Sequence, residues 1–246
     1  YAQIAAELDK MKDYANSVKG STAFSVSSDS NAVGVKVSDQ SLAQAFDASI
    51  TVSNLAASQT LEFTGFSSKS ATINKGTINI DFGSWSGSTF TDNSAKASQS
   101  VTITDANNSL SGLATALSAI SGVNATVTDK GDGTFSLIVN SDTGAKNALR
   151  LRVTEDETDT GLSTFDTATN NASKQVVAAQ DAALTINGVQ ITRTTNTITD
   201  LIDGYEFKLN STTSSAASVI ASIDADLAYS TVKGFVDVFN SVNSTI

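Results

Sequence analysis

The stretch ALTINGVQITRTTNTITDLIDGYEFKLN, residues 183–210, decides how this chain is read. Leu184 and Ile186 alternate into Asn187-Gly188, and Val189 and Ile191 alternate out of it. An Asn-Gly pair accepts positive φ at both central positions, so the pattern predicts a two-residue hairpin with a type I′ turn. Across such a turn Ile186 faces Val189 and Leu184 faces Ile191, which puts all four on one buried side. Ile198, Leu201 and Ile202 then fit one short helical turn. Asp203-Gly204 is a second turn signal, and Tyr205, Phe207 and Leu209 predict a third strand.

At both ends of the chain the period becomes helical. Tyr1, Ile4, Leu8, Met11, Ala15 and Val18 are spaced alternately three and four apart, with Glu7, Lys10, Lys12 and Asp13 off the stripe. Lys19 suits the negative end of a helix, and Gly20 supplies a left-handed stop. Ala228, Val232, Phe235, Phe239, Val242 and Ile246 repeat the spacing, with Asp224 and Asp226 where a helix start favours carboxylates. Gly234 lies inside this helix at a cost of about 1 kcal/mol relative to Ala. Both stripes read as cut through longer heptad helices, so the chain is expected to be a fragment of a longer one. The expectation is an antiparallel helix pair. Because helices of this length are marginal alone, they are also expected to pack on helices from flanking segments or neighbouring subunits. Tyr1, Ile4, Leu8, Met11, Val232, Phe235 and Phe239 are the candidate interface residues.

Between the helices the period is two. Phe24 and Val26 lead into the turn cluster Ser27–Asn31, followed by the alternations Val33-Val35-Val37 and Ala48-Ile50-Val52 and a strand carrying Leu61 and Phe63. From Gly76 a different unit begins. Ile78, Ile80 and Phe82 form a strand, a Ser/Gly/Asn/Ala-rich loop runs from Gly83 to about Ser98, and Val101 and Ile103 make the next strand. Ser109 is a good N-cap for a helix whose Leu110, Leu113, Leu117 and Ile120 face one way and which Gly122 ends. Val123, Ala125 and Val127 enter a Gly-containing hairpin at residues 129–133. Phe135, Leu137 and Val139 return, and Leu149, Leu151 and Val153 add a strand. The polar, acidic residues 154–174 read as a linker.

Composition excludes several function classes. The net charge of -10 disfavours nucleic acid and anionic lipid, and no apolar run approaches a bilayer span. With no His and no Cys, Ser-His-Asp and Cys-His catalysis, thiol nucleophiles and zinc clusters are ruled out. No cofactor, metal or catalytic residue is assigned. Glu155, Asp156, Glu157 and Asp159 have the oxygen chemistry for Ca²⁺, but a solvated, self-repelling loop is the plainer reading. Asp129 and Asp132 lack EF-hand spacing and read as turn formers, and Gly131-x-Gly133 precedes a strand, unlike a dinucleotide fingerprint. Trp85, alone in a polar loop, either anchors a partner or folds back onto its own domain, and the second is favoured. Arg193 faces a neighbouring subunit or simply solvates a strand end. Ser/Thr enrichment reads as polar β surface ahead of O-glycosylation.

The hairpin stretch resembles the flagellar hook-associated protein 2 (filament-capping) family. The resemblance lies in its order of strand, Asn-Gly, strand ending at Arg193, Thr-Asn-Thr-Ile, Asp-Leu-Ile-Asp-Gly and strand. AFDASITVSNLAASQTLEF (residues 45–63) is similar to the first half of that family's inner β domain. NKGTINIDF, SLSGLATALSAISGVNATV and FSLIVNSDTG resemble a module of hook and filament proteins. The resemblance implies an α+β fold with β-rich domains nested one in the other on an antiparallel pair of heptad helices. Residues 1–20 and 217–246 would be the stalk, 21–64 and 177–213 the inner domain, and 65–176 the inserted outer domain with one short helix. Periodicity alone equally allows domains in series. The implied function is structural: a homo-oligomeric ring at the extracellular filament tip, exported through the flagellar channel, that guides flagellin assembly. Some members also bind host mucus. The alternatives are another secreted axial or hook-associated junction protein, or a surface adhesin; a carboxylate-based hydrolase has no paired-acid motif behind it.

The chain contains no proline at all. It is therefore expected to refold without the slow phase of X-Pro isomerisation, which lasts tens of seconds or longer at 25 °C. Stopped-flow refolding checks this, and an amplitude dominated by minutes would contradict it.

Overall fold

A computed structural model describes residues 2–18, 24–169 and 171–245. The chain divides into two compact units. The first comprises residues 1–53, 184–191 and 196–246, and the second residues 54–183 and 192–195. The units therefore part at Ser53 and Asn54, ahead of the boundary expected at residues 64 and 65.

The first unit contains helix α1 (Ala2–Val18) and strands β1 (Phe24–Ser28), β2 (Val33–Val37) and β3 (Phe46–Asn54). The second unit begins with β4 (Ser58–Phe66), β5 (Gly76–Ser86), β6 (Thr89–Asp92), β7 (Gln99–Ile103), helix α2 (Leu110–Ser118), β8 (Val123–Asp129) and β9 (Phe135–Thr143). It continues with β10 (Ala148–Glu155), the single turn α3 (Asn171–Lys174) and β11 (Gln175–Val177). The chain then returns through β12 (Ala182–Ile186), β13 (Val189–Arg193), β14 (Thr197–Ile198), β15 (Tyr205–Leu209), β16 (Ala217–Ile223) and helix α4 (Ala225–Thr245). Lys19 and Gly20, expected at the end of the first helix, and Ile246, expected on the second stripe, lie outside the described residues.

In the first unit one sheet runs β1-β16-β3-β12-β13 and another β14-β15-β2. The Asn-Gly hairpin forms as the sequence demands: Asn187 has φ 48° and Gly188 φ 83°, the left-handed pair a type I′ turn needs. Asn187 also fastens the turn to β3, since its N–H donates to the Ser49 carbonyl and its Oδ1 accepts from the Ser49 N–H, each at 2.9 Å. Leu184 is buried, but Val189 is 62% exposed, so the four-residue apolar set predicted around the turn is only partly inside. The predicted helical turn at Ile198–Ile202 is absent. Ile198 instead pairs with Phe207 in β14 and is buried there, because a strand neighbour shields it better than one isolated helical turn would. Tyr205, Phe207 and Leu209 are all buried, and Phe46 meets the Tyr205 ring edge-on at 4.9 Å.

The second unit packs sheets β10-β5-β6 (with β7 also on β5) and β11-β4-β9-β8 around α2. Ser109 caps α2 by accepting from the Gly112 N–H at 3.0 Å, and Leu110, Leu113 and Leu117 are fully buried. Two expectations are corrected. The loop predicted from Gly83 to Ser98 contains a hairpin, because β5 runs on to Ser86 and turns back as β6. The stretch read as a linker at 154–174 is part of the core: Leu162, Phe165 and Thr167 are fully buried. Those few apolar residues were outvoted by the acidic ones around them, whose carboxylates serve the local backbone. Glu155 accepts from the Gly161 and Ser163 N–H groups, and Asp166 from Val153 and Ala168.

That segment also closes a sheet edge. The outward N–H groups of β10 are taken by Gln59 Oε1 at Leu149, Thr167 Oγ1 at Leu151 and Asp166 Oδ2 at Val153. Trp85 Nε1 donates to the Leu149 carbonyl and Thr167 N–H to that of Leu151. Trp85 thus folds back onto its own unit, with Phe90 against it at 4.8 Å.

Helices α1 and α4 touch at a close approach. The Tyr14 hydroxyl donates to the Thr231 carbonyl at 2.8 Å, and Ser241 Oγ donates to Glu7 at 2.9 Å. Gly234 faces the Tyr14 ring so closely that a Cβ there would lie 2.7 Å from Cζ. Gly234→Val is therefore expected to separate the helices, lowering the helical circular-dichroism signal while the β-sheet melting transition survives. Unchanged helicity would contradict this packing.

Candidate functional site

Helix α4 carries two different faces. Ala228, Thr231, Gly234, Val238, Val242 and Thr245 are shielded, and Thr231 and Gly234 are the positions that meet Tyr14. Tyr229, Val232, Phe235, Val236 and Phe239 are exposed. At roughly 100° per residue the two sets point about a third of a turn apart. The contact is built from small residues because a Tyr ring needs room; a heptad count, which follows large apolar residues, passes over Thr231 and Gly234.

The predicted interface residues are accordingly dispersed. Tyr1 lies outside the described residues. Ile4 and Met11 are half-buried on α1, and Leu8 is half exposed. Val232 is 63% exposed, Phe239 51% and Phe235 38%. Sequence reasoning missed Tyr14 as the residue that fills the contact. The mark of it in the sequence is the interior glycine at 234, which leaves room for a ring against the helix.

In the second unit the strongest electrostatic feature was not foreseen. Asp81 is 2% exposed on β5, beside Arg150 and Arg152 of the adjacent strand β10. Its Oδ2 accepts from Arg152 Nε at 2.6 Å and Arg150 Nε at 2.8 Å. Its Oδ1 accepts from Arg152 Nη2 at 2.9 Å and Ser98 Oγ at 2.6 Å. Arg150 lies over the Phe90 ring and reaches Asp92. Hydrogen bonds from Arg152, then Ser98 and Arg150, hold the Asp81 carboxyl far below the usual carboxylate range, against the opposing effect of its burial. All four carboxylate acceptor positions are occupied, so the cluster ties strands together and leaves nothing free for chemistry.

The acidic loop behaves similarly. Asp156 accepts from the Thr158 N–H and hydroxyl, and its carboxyl is lowered by those bonds. Among the described residues no group of His, Cys, Asp or Glu is arranged to hold a metal ion, and no helix is long and apolar enough to cross a membrane. Asp129 and Asp132 cap their own turn, as expected of turn formers. Arg193 Nη1 donates to the Thr192 carbonyl.

Residues 179–246 match the family model described as flagellar hook-associated protein 2 C-terminus. The chain is 33% identical over 148 residues to flagellar hook-associated protein 2 of Escherichia coli O157:H7, covering 59% of this chain and 32% of that protein. It is 27% identical over 191 residues to the B-type flagellar hook-associated protein 2 of Pseudomonas aeruginosa, covering 72% and 38%. The chain thus spans about a third of the length of the curated relatives it matches. Among solved structures it resembles the D1-D2-D3 domains of the Escherichia coli flagellar cap protein FliD. The TM-score is 0.82 at 28% identity, over 100% of this chain and 68% of that one. The D2-D3 domains of the same protein match at TM-score 0.69 and 30% identity, over 82% and 100%.

Because the Asp81 pKa is depressed on folding, its contribution to stability is complete above the unfolded value of about 4 and fades as the pH falls below it. Asp81→Asn, which leaves two guanidinium groups without their shared anion, is expected to cost about 2–4 kcal/mol at neutral pH. The difference from the parent should shrink in acid. Urea unfolding at neutral and acid pH measures both.

Proposed function

The chain belongs to the flagellar hook-associated protein 2 family, and on that premise we propose that it is the central part of a filament cap. In this reading it is a non-enzymatic structural protein, exported to the extracellular tip of the flagellum. There it assembles with copies of itself and contacts flagellin during filament growth. Helices α1 and α4 act as the stalk, the strands of the first unit as an inner β domain, and the second unit as an outer one inserted into it.

The observation that carries the reading is the exposed apolar face of α4. Val232, Phe235 and Phe239 lie on a helix whose other face is already occupied by α1. Exposed aromatic and aliphatic side chains in one stripe are uncommon on a solitary surface and mark a protein contact. The heptad stripes are completed, in this account, by helices from flanking segments or neighbouring copies. The junction-protein and adhesin alternatives are not favoured, since the relatives carry the hook-associated protein 2 name. Host mucus as a partner finds no support among them.

A full-length protein carrying Val232→Asp, Phe235→Asp and Phe239→Asp is expected to fold but fail to restore filament growth to a strain lacking its cap. The unaltered protein should restore it. Normal elongation with the triple variant would remove the role assigned to this face.

A further inference from the structure

Helix α2 and strand β8 border an open, shallow groove of about 600 Å³ lined by Lys69, Ser111, Ala114, Thr115, Ala119 and Val127, among others. Among the described residues β8 is the edge of its sheet and pairs with β9 alone. The direction of its remaining backbone groups follows from the ladder. Asp142 N–H bonds to the Gly122 carbonyl and Lys130 N–H to that of Thr134. With the β8–β9 register, this makes residues 124, 126 and 128 the ones bonded to β9. Ala125, Val127 and Asp129 therefore turn their N–H and C=O groups outward.

Ala125 is already satisfied within the unit: Ser118 Oγ accepts from its N–H at 2.9 Å and donates to its carbonyl at 3.0 Å. Val127 and Asp129 have no such partner among the described residues. The contrast with β10 in the same unit is direct, since there Gln59, Asp166 and Thr167 occupy the outward N–H groups of Leu149, Val153 and Leu151. An edge left open beside a groove offers what a docking strand needs: backbone donors and acceptors for affinity, and a cleft for alternate side chains.

The walls indicate what the strand carries. Ala114, Ala119 and Ala125 give the groove an apolar wall against which an apolar side chain can pack. Lys69 lines the groove and makes no ion pair among the described residues, so an ammonium stands ready for an acidic side chain.

We propose that the α2–β8 groove is a docking site for an extended segment of another polypeptide. The segment adds as a strand on Val127 and Asp129, places an apolar residue against the alanines, and sets an acidic residue against Lys69. The proposal stands on the second unit alone and is independent of the exposed face of α4.

The probe is a short acetylated peptide alternating Thr and Val with one Asp, and a control with Lys in place of Asp, titrated into the whole chain. Saturation with the Asp peptide is expected to slow amide exchange at Val127 and Asp129. Val127→Pro removes only an outward N–H, a change sheet edges tolerate, and is expected to weaken binding by ~5-fold or more with the melting transition retained. Ser118→Ala releases the Ala125 groups and is expected to tighten binding by ~3-fold. Lys69→Glu is expected to shift the preference from the Asp towards the Lys peptide by about tenfold. Absence of binding at millimolar peptide would overturn the proposal, as would binding unaffected by Val127→Pro in a folded chain. Protection of the same amides by self-association of the chain without peptide would also overturn it, making the occupant a second copy.

Discussion

One close approach governs the helical end of this molecule. The Tyr14 ring lies against Gly234 with its hydroxyl on the Thr231 carbonyl, so α1 takes the small-residue face of α4. A helix has a limited circumference, and commitment of that face leaves Val232, Phe235 and Phe239 turned to solvent. Burying each such side chain fully is worth about 1.5–3 kcal/mol. Two helices of this length gain little from intrinsic propensity, so a further partner for that stripe is their main available source of stability.

The β units solve a different problem. Long antiparallel strands expose edges that invite indiscriminate pairing, and a protein meant to assemble in a defined way has to control which edges are open. Gln59, Trp85, Asp166 and Thr167 occupy the edge of β10, three of them drawn from outside its sheet-forming strands. Asp81 fixes the face of the same sheet by holding Arg150 and Arg152 together across β5 and β10. Polar side chains thus maintain sheet order in a chain that has neither disulfide nor proline to restrict it.

How much of this was legible depends on the range of the interaction. Local chemistry could be read directly: the Asn187-Gly188 turn, the Ser109 cap, and the alternations of β3, β5, β9 and β15 are set by neighbours in sequence. Readings failed where a distant partner decided the outcome. Ile198 joined a strand because Phe207 lay beside it, and 162–167 entered the core because β10 had an edge to close. Asp81 looked like one more strand carboxylate until Arg150 and Arg152 were placed across from it. For the helical stripe, the heptad count follows the large residues, whereas the face of α4 that meets α1 is set by Tyr14 meeting a glycine 220 positions away. Family membership was legible from the hairpin motif, which lies within the region matched by the family model.

The account comes down to whether the free stripe on α4 is an assembly surface. The most direct measurement is the solution mass, by sedimentation, of the full-length protein beside that of this 246-residue stretch. The account predicts a closed multi-copy assembly for the full-length chain and a smaller species for the stretch. A full-length chain that sediments as a monomer at all concentrations would contradict it.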